Sequence, residues 1–323
     1  MQRVLITGGA GTIGGAVVRR LLRDPSYEVR VSDQREAPQW MREGCEVHRG
    51  DLRVLDEARK AVDGCTHVIH LAAIVGGIAN FHKLPLTLTE VNGALYNAVV
   101  RAAVEVQGLE RFVYVSSSMV FEQATEYPTT EEHIWTCPVP RSAYGFSKLQ
   151  GEVHVRAADD EFGLPWTICR PFNAYGPGEL PEDEPGIAHM VPDVIRKVLA
   201  LPTGSPLPIF GDGTQTRTIT HIDDIADGIV TAMSSPSALR EDFNISAAEE
   251  MTVAQIARVI WAACGRDPSE LRFEHLPTFE VDVVRRWPSV DKARDLLGWE
   301  SQIAVEDGVA ATVEWLRGVL QRS

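Results

Sequence analysis

Val4-Leu5-Ile6-Thr7-Gly8-Gly9-Ala10-Gly11-Thr12-Ile13-Gly14-Gly15 is the stretch on which the reading of this sequence turns. A short apolar run reads as a buried strand, and Gly15 to Leu22 places apolar residues at helical spacing. Between them Gly8, Gly11 and Gly14 form a Gly-x-x-Gly-x-x-Gly pattern. Glycines let a backbone turn sharply and approach a pyrophosphate, whose charge is met by the N-terminus of the following helix. Alone the pattern is a weak signal; set between a strand and a helix it predicts a dinucleotide cradle made by Gly8, Gly11, Thr12, Ile13 and Gly14. About 20 residues on, the next apolar run ends in Val31-Ser32-Asp33. A carboxylate there accepts hydrogen bonds from an adenosine ribose and repels a 2′-phosphate, which favours NAD over NADP. Arg35 reads as a solvated surface charge.

Outward from this motif, Val29 to Val31, Val68 to Leu71, Phe112 to Val115 and Trp166 to Cys169 repeat the short apolar run, with helical patterns between them such as Thr89 to Val106. That alternation predicts βαβ units and a parallel sheet. After Arg170 the texture changes: prolines at 171, 177, 181, 185, 192, 202, 206 and 208 predict loops and short elements of a second lobe. Met251 to Cys264 and Val305 to Leu320 read as amphipathic helices. The expected fold is α/β, a Rossmann-type doubly wound parallel sheet with a smaller C-terminal α/β substrate lobe. Residues 1–170, with 218–250 returning to them, are expected to bind the dinucleotide, and 171–217 with 251–323 to bind substrate.

With 323 residues, 44% hydrophobic and 24% charged, the chain has the make-up of a globular protein that folds by itself. A net charge of -14 opposes approach to nucleic acid or to an anionic membrane, so neither is an expected partner. No apolar run reaches the ~18 residues of a membrane span. Cys45, Cys65, Cys137, Cys169 and Cys264 are scattered, without zinc spacing, and read as reduced thiols; no metal is expected, and cytoplasm is the default compartment.

Gly50-Asp51-Leu52, Leu71-Ala72-Ala73, Asn92, Ser116-Ser117-Ser118, Tyr144-Gly145-Phe146-Ser147-Lys148 and Arg170-Pro171-Phe172-Asn173-Ala174-Tyr175-Gly176-Pro177 follow in order, and the chain closes on Asp291-Lys292-Ala293 and Leu296-Leu297-Gly298-Trp299. Together they resemble the extended short-chain dehydrogenase/reductase family, specifically its NAD-dependent epimerase/dehydratase branch, over essentially the whole chain. The resemblance implies that Asp51 and Leu52 flank the adenine, that Leu71, Ala72, Ala73 and Asn92 belong to the cofactor groove, and that Ser117, Tyr144 and Lys148 are catalytic. It also implies a homodimer formed by the helix from Thr89 and the helix of Tyr144. Ser117 is chosen among three serines because it stands four before the aromatic Phe121.

The residue types support the catalytic reading on their own terms. Tyr144 and Lys148 are four apart, on one face of a helix. An ammonium beside a phenol favours phenolate and lowers a pKa that is ordinarily about 10. Only five of the 31 basic residues are lysines, so a lysine in this motif is informative. The phenolate would take the proton of a sugar hydroxyl while hydride leaves the same carbon for NAD, giving a keto-sugar.

For the substrate, a nucleotide-diphosphate sugar, the resemblance nominates Asn173, Arg217, Arg285 and Arg286, along with Ser117, Ser118 and Met119. Gly76-Gly77 resembles the loop of the GDP-fucose synthase and GDP-mannose 3,5-epimerase groups. Departures narrow the reaction. Sugar 4,6-dehydratases carry an Asp-Glu pair after the catalytic Ser/Thr, and the 3,5-epimerase and fucose synthase groups carry a cysteine two positions after it; this chain has Ser118 and Met119. A thioether exchanges no proton. Cys137, His133, Glu122 and His189 are the candidates for a substitute acid/base, each read first as structural or surface. Simple 4-epimerisation needs no further group and is the expected reaction; a 3,5-epimerase, a 4,6-dehydratase, a 4-keto reductase and a non-enzymatic NAD(H) sensor are the alternatives.

Overall fold

In the computed structural model, which describes residues 2–75, 83–181, 189–278 and 283–321, the opening apolar run is β1 (Gln2–Thr7) and the glycine turn leads into α1 (Thr12–Leu21). Then follow β2 (Tyr27–Ser32), α2 (Gln39–Gly44), β3 (Glu46–His48), α3 (Leu55–Val62), β4 (His67–His70), α4 (Pro85–Val104), β5 (Arg111–Val115), α5 (Ala143–Phe162) and β6 (Trp166–Pro171). β11 (Glu241–Ile245) completes a parallel seven-stranded sheet in the order β11-β6-β5-β4-β1-β2-β3. From β1 the chain winds outward one way through β2 and β3, then crosses to β4 on the other side of β1. The crevice beyond the strand ends at this reversal is where open α/β sheets bind ligands.

Strand alternation explains why both faces are covered. Val4 and Ile6 point into a core with Val17, Val18 and Leu21 of α1 and with Ile225 and Ile229 of α7 (Ile222–Ser234). Leu5, between them, points the other way into a core with Leu95, Tyr96 and Val99 of α4 and Val155 of α5. Successive side chains of a strand face opposite sides, so a strand buried on both reads as the unbroken apolar run seen in the sequence.

A smaller core lies beyond the sheet. It joins Val194, Ile195 and Val198 of α6 (Met190–Ala200), Ile256 and Ile260 of α8 (Val253–Ala263), and Val309 and Val313 of α10 (Val305–Leu320). Short strands fill in this region: β7 (Ala174–Tyr175) pairs with β10 (Thr220–His221), β8 (Leu207–Phe210) with β13 (Phe273–Leu276), and β9 (Thr216–Arg217) lies between β12 (Met251–Thr252) and β14 (Arg285–Arg286). α9 (Asp291–Leu297) packs beside β11.

Three element boundaries differ from the sequence reading. The helix expected from Thr89 starts at Pro85, where proline suits a first turn that needs no amide donor. Met251 and Thr252 are a strand rather than helix; Thr252 caps α8 in a reciprocal box with Gln255. α6 is a full helix inside the proline-rich stretch, because Pro192 occupies its first turn. No helix among the described residues is long and apolar enough to cross a membrane.

Candidate active site

The strand ends at the reversal open into a cavity of about 1480 Å³. A single small-molecule site usually occupies ~300–1,000 Å³, so this one has room for two ligands side by side. Its floor at one end is the glycine turn. Gly8 adopts φ +72°, a backbone that favours glycine, and a Cβ at Gly14 would collide with the Gly8 carbonyl oxygen. Gly8, Gly11, Thr12, Ile13 and Gly14 all line the cavity. These residues fit a dinucleotide: Gly8, Gly11 and Gly14 add no side chains, the Arg35 guanidinium lies beside Gly11, and the start of α1 presents its amides to the cavity.

Asp33 lines the same end, where its Oδ2 accepts from the Ala10 amide at 3.0 Å. Arg35 is exposed, as expected of a solvated charge, but it is not isolated. Its guanidinium donates to both oxygens of Asp33, at 3.2 and 3.0 Å, and it borders the cavity. Leu52, Leu71, Ala72 and Ala73 form the apolar wall.

Two expected cofactor residues do not face the cavity. The Asp51 carboxylate is taken by the Arg53 guanidinium, with Nε at 2.9 and 3.0 Å from its two oxygens, and it is Arg53 that borders the cavity. Asn92 is fully buried. Its amide oxygen accepts from the Ile74 backbone at 2.7 Å and its nitrogen donates to Ile74 O and to Ser147 Oγ, so it braces the wall from behind.

Between the two halves of the cavity the structure brings Ser117, Tyr144 and Lys148 together. β5 delivers the serines at its end, and the structure separates them. Ser116 Oγ turns inward to donate to Glu152 at 2.6 Å, while Ser117 hydrogen-bonds Tyr144. Ser142 caps α5 by accepting from the Gly145 amide at 3.0 Å, which fixes the helix start and hence Tyr144, its second residue. Lys148, one turn on, donates to Val115 O at 2.9 Å, and its Nζ lies 6.0 Å from the Tyr144 ring centroid.

The electrostatics correct one expectation. Burial pushes the Tyr144 phenol up to about 12, against the Ser117 hydrogen bond and the positive charge of Arg286, which pull it down. Burial likewise pushes the Lys148 ammonium down to about 7, with the Glu152 carboxylate opposing it. Desolvation disfavours the charged form of both groups. The cation acting on the phenol is therefore Arg286 of β14, not only the lysine of the motif.

On the far side, Asn173, Arg217 and Arg286 line the cavity, as do Ser118 and Met119. Arg286 donates to Asn173 Oδ1 at 3.1 Å and contacts Met119 Sδ at 2.9 Å. Arg285 is a correction: it is absent from the cavity lining, its Nε and Nη2 donate to Glu250 at 2.7 and 2.8 Å, and its guanidinium lies near the rings of Tyr127 and Trp287. Gly76 and Gly77 lie outside the described residues.

Of the four substitute acid/base candidates, Cys137 and His133 do not reach the cavity. Cys137 packs with Phe121 and Phe172, and buried His133 is engaged by Thr125 and Thr136. Glu122 borders the cavity, but one of its oxygens takes the Ser142 hydroxyl at 2.7 Å and the Ser142 amide at 3.0 Å. His189, an exposed side chain, borders it too and is paired with Glu179 at 2.6 Å. Sequence reasoning missed Glu179, Arg141, Asp193, Lys197 and Phe210, which also line the cavity. Only the Asp193/Lys197 spacing of four on a helix carried a local signal.

Comparison with known proteins follows the same lines. Residues 4–246 match the model of the NAD dependent epimerase/dehydratase family. The chain is 30% identical over 335 residues to a UDP-glucose 4-epimerase of Mycolicibacterium smegmatis, covering 99% of this chain and all of the relative. It is 28% identical to GDP-mannose 3,5-epimerase 1 of Oryza sativa subsp. japonica over 325 residues, 99% of this chain and 83% of that one. Among solved structures, the UDP-glucuronic acid 4-epimerase of Bacillus cereus in complex with UDP-glucuronic acid and NAD superposes with a TM-score of 0.86 at 26% identity, covering 98% of this chain and all of the other. The UDP-glucose 4-epimerase of Thermotoga maritima with UDP-glucose gives 0.85 at 27%, over 99% and 100%.

Proposed function

The chain belongs to the NAD-dependent epimerase/dehydratase family, and from that premise we propose that it is a nucleotide-sugar 4-epimerase working through a transient 4-keto-sugar. Its enzyme class, an NAD-dependent enzyme acting on nucleotide-linked sugars, follows from the family. One observation carries the choice of reaction. The catalytic trio faces the cavity, and the places beside it where other branches hold an acid/base are filled by Ser118 and Met119, the latter with its sulfur against Arg286.

NAD, held by the glycine cradle and Asp33, supplies the hydride acceptor and donor. The residues of the chain do the rest. Tyr144 acts as phenolate, a form that the Ser117 hydrogen bond and the Arg286 charge favour against burial: its Oη takes the proton of the sugar C4 hydroxyl as that carbon is oxidised, and returns it when the ketone is reduced on its other face. Ser117 holds the hydroxyl in line with Tyr144. Arg217, Arg286 and Asn173 hold the diphosphate, so the sugar turns while its anchor stays fixed. The same proposal assigns 1–170 and 218–250 to the dinucleotide, 171–217 and 251–323 to the sugar nucleotide, and a cytoplasmic homodimer as the working form.

A second reading, 3,5-epimerisation, is favoured by the His189–Glu179 pair on the cavity wall, a titratable dyad able to exchange a proton beside a ketone. Substrate deuterated at sugar C4, incubated with the enzyme and NAD, separates the two. A 4-epimerase gives the C4 epimer with the label retained and no net NADH. Uptake of solvent hydrogen at C3 or C5 establishes the second reading, and migration of label to C6 with loss of water establishes a dehydratase.

A further inference from the structure

Beneath the trio runs a ladder of buried charges that the reaction as described does not use. Tyr144, Lys148 and Glu152 stand at i, i+4 and i+8 on α5, on one face of the helix. Glu152 is 1% exposed and its carboxylate is fully engaged: Oε1 takes Ser116 Oγ at 2.6 Å and Arg170 Nε at 2.8 Å, and Oε2 takes Arg170 Nη2 at 2.7 Å. Arg170, 0% exposed, passes the ladder on to Asp242 of β11 at 2.7 Å. Asp242 in turn holds Lys292 of α9 at 2.8 Å and Arg156 at 3.0 Å.

A buried ion pair contributes little net stability, since desolvating both ions offsets most of their attraction. Its place here is therefore informative. Ser116 precedes Ser117, and Glu152 follows Lys148 by one helical turn. A single carboxylate thus connects the strand end that carries the serine to the helix that carries the tyrosine and lysine.

We propose that Glu152 is a positioning residue for the trio: clamped by Arg170, it fixes the Ser116–Ser117 strand end against α5 and sets a carboxylate one helical turn from the Lys148 ammonium. The proposal rests on Ser117, Tyr144 and Lys148 being the catalytic trio. The groups facing Lys148 are few. Tyr114 on β5 faces it with its ring centroid 5.5 Å from Nζ, His70 on β4 is kept uncharged by burial and by the Lys148 charge, and Tyr144 shares its helix. Glu152 is the carboxylate that opposes the cost of burying Lys148, and Arg170 behind it is shared between Glu152 and Asp242.

The test is the pH profile of turnover. With Lys148 required as a cation, turnover falls on the alkaline side as it loses its proton. Glu152→Gln keeps an oxygen for Ser116 and removes the charge, so the alkaline limb should move down by about one pH unit, a tenfold change in proton affinity. Glu152→Asp keeps the charge and should leave the limb within a few tenths of a unit while lowering turnover through the lost Ser116 contact; it serves equally if the Gln variant does not fold. Ser116→Ala should lower turnover without moving the limb. A Gln variant that loses turnover equally at every pH, or an Asp variant whose limb shifts by a full unit, overturns the proposal. Tyr144→Phe, run alongside, keeps the two readings apart. Undiminished turnover there overturns the trio and this proposal together, whereas a dead Phe variant beside an unshifted Gln variant overturns the role of Glu152 alone.

Discussion

Arg35 lies against the Asp33 carboxylate, its Nε 3.2 Å from Oδ1 and its Nη2 3.0 Å from Oδ2, at the end of the cavity where the glycine turn and β2 meet. The Asp33 carboxylate stands where the proposed function puts the adenosine ribose, and it keeps the Arg35 guanidinium occupied. NAD should therefore bind at least tenfold tighter than NADP, about 1.4 kcal/mol, in fluorescence titrations. Asp33→Ser should narrow or reverse this ratio, because it removes the repulsion and releases Arg35 towards a 2′-phosphate. Equal affinity of the unmodified protein for both dinucleotides contradicts this account.

Tyr144→Phe should retain NAD and nucleotide-sugar binding and lose about 10² or more in turnover, the scale of a lost general acid/base. Ser117→Ala should fall in the same direction with a smaller loss, since the phenol keeps its place. Calorimetry of both variants separates binding from chemistry; a Phe variant within a few-fold of the parent in kcat removes Tyr144 from the mechanism.

Lys148 should cost stability that its function requires. Burial holds its pKa at about 7 in the fold, well below its ordinary 10.5. A depressed folded pKa means that the folded state disfavours the proton, so the cost is absent above the unfolded pKa near 10.5, grows as pH falls from there towards 7, and is fully present below 7. Lys148→Met should raise the melting temperature by several degrees at pH 6, where ~1 kcal/mol is worth roughly 2–4 °C in a large domain. The gain should shrink towards pH 10 while turnover is lost throughout. A Met variant less stable than the parent at pH 6 shows instead that the Val115 hydrogen bond outweighs desolvation.

α4 and α5 pack side by side, and their outer face leaves Leu86, Phe146 and Val153 exposed, Leu86 and Val153 at 74% and 59%. Pairing of this face across a two-fold axis should give a particle of twice the 35.5 kDa chain mass in light scattering at micromolar concentration. Val153→Glu should shift it towards the monomer by burying a charge at the contact. A monomeric parent protein rules out the assembly.

Much of this molecule was legible because its signals are local. The run from Val4 to Gly15 needs only neighbouring residues to say strand, glycine turn and helix, and Asp33 is placed by the length of one βα unit. Val305 to Leu320 announces its helix through its own apolar stripe, and Tyr144 and Lys148 share a face by helical spacing alone. Where a residue's partner is distant, the sequence is silent. Arg285 and Arg286 are adjacent and chemically identical, yet strand alternation in β14 sends one to Glu250 and the other into the cavity. His189 meets Glu179, ten positions away, and even Asp51 turns to Arg53, two positions away, rather than to the groove, a choice that no periodicity encodes. The sequence by itself determined the sheet, the glycine turn and the shared helix face of Tyr144 and Lys148, since these follow from covalent spacing. Only the tertiary structure decided their charge, because the proton affinities of Tyr144 and Lys148 depend on what excludes water from them and on Glu152 and Arg286, which packing brings near.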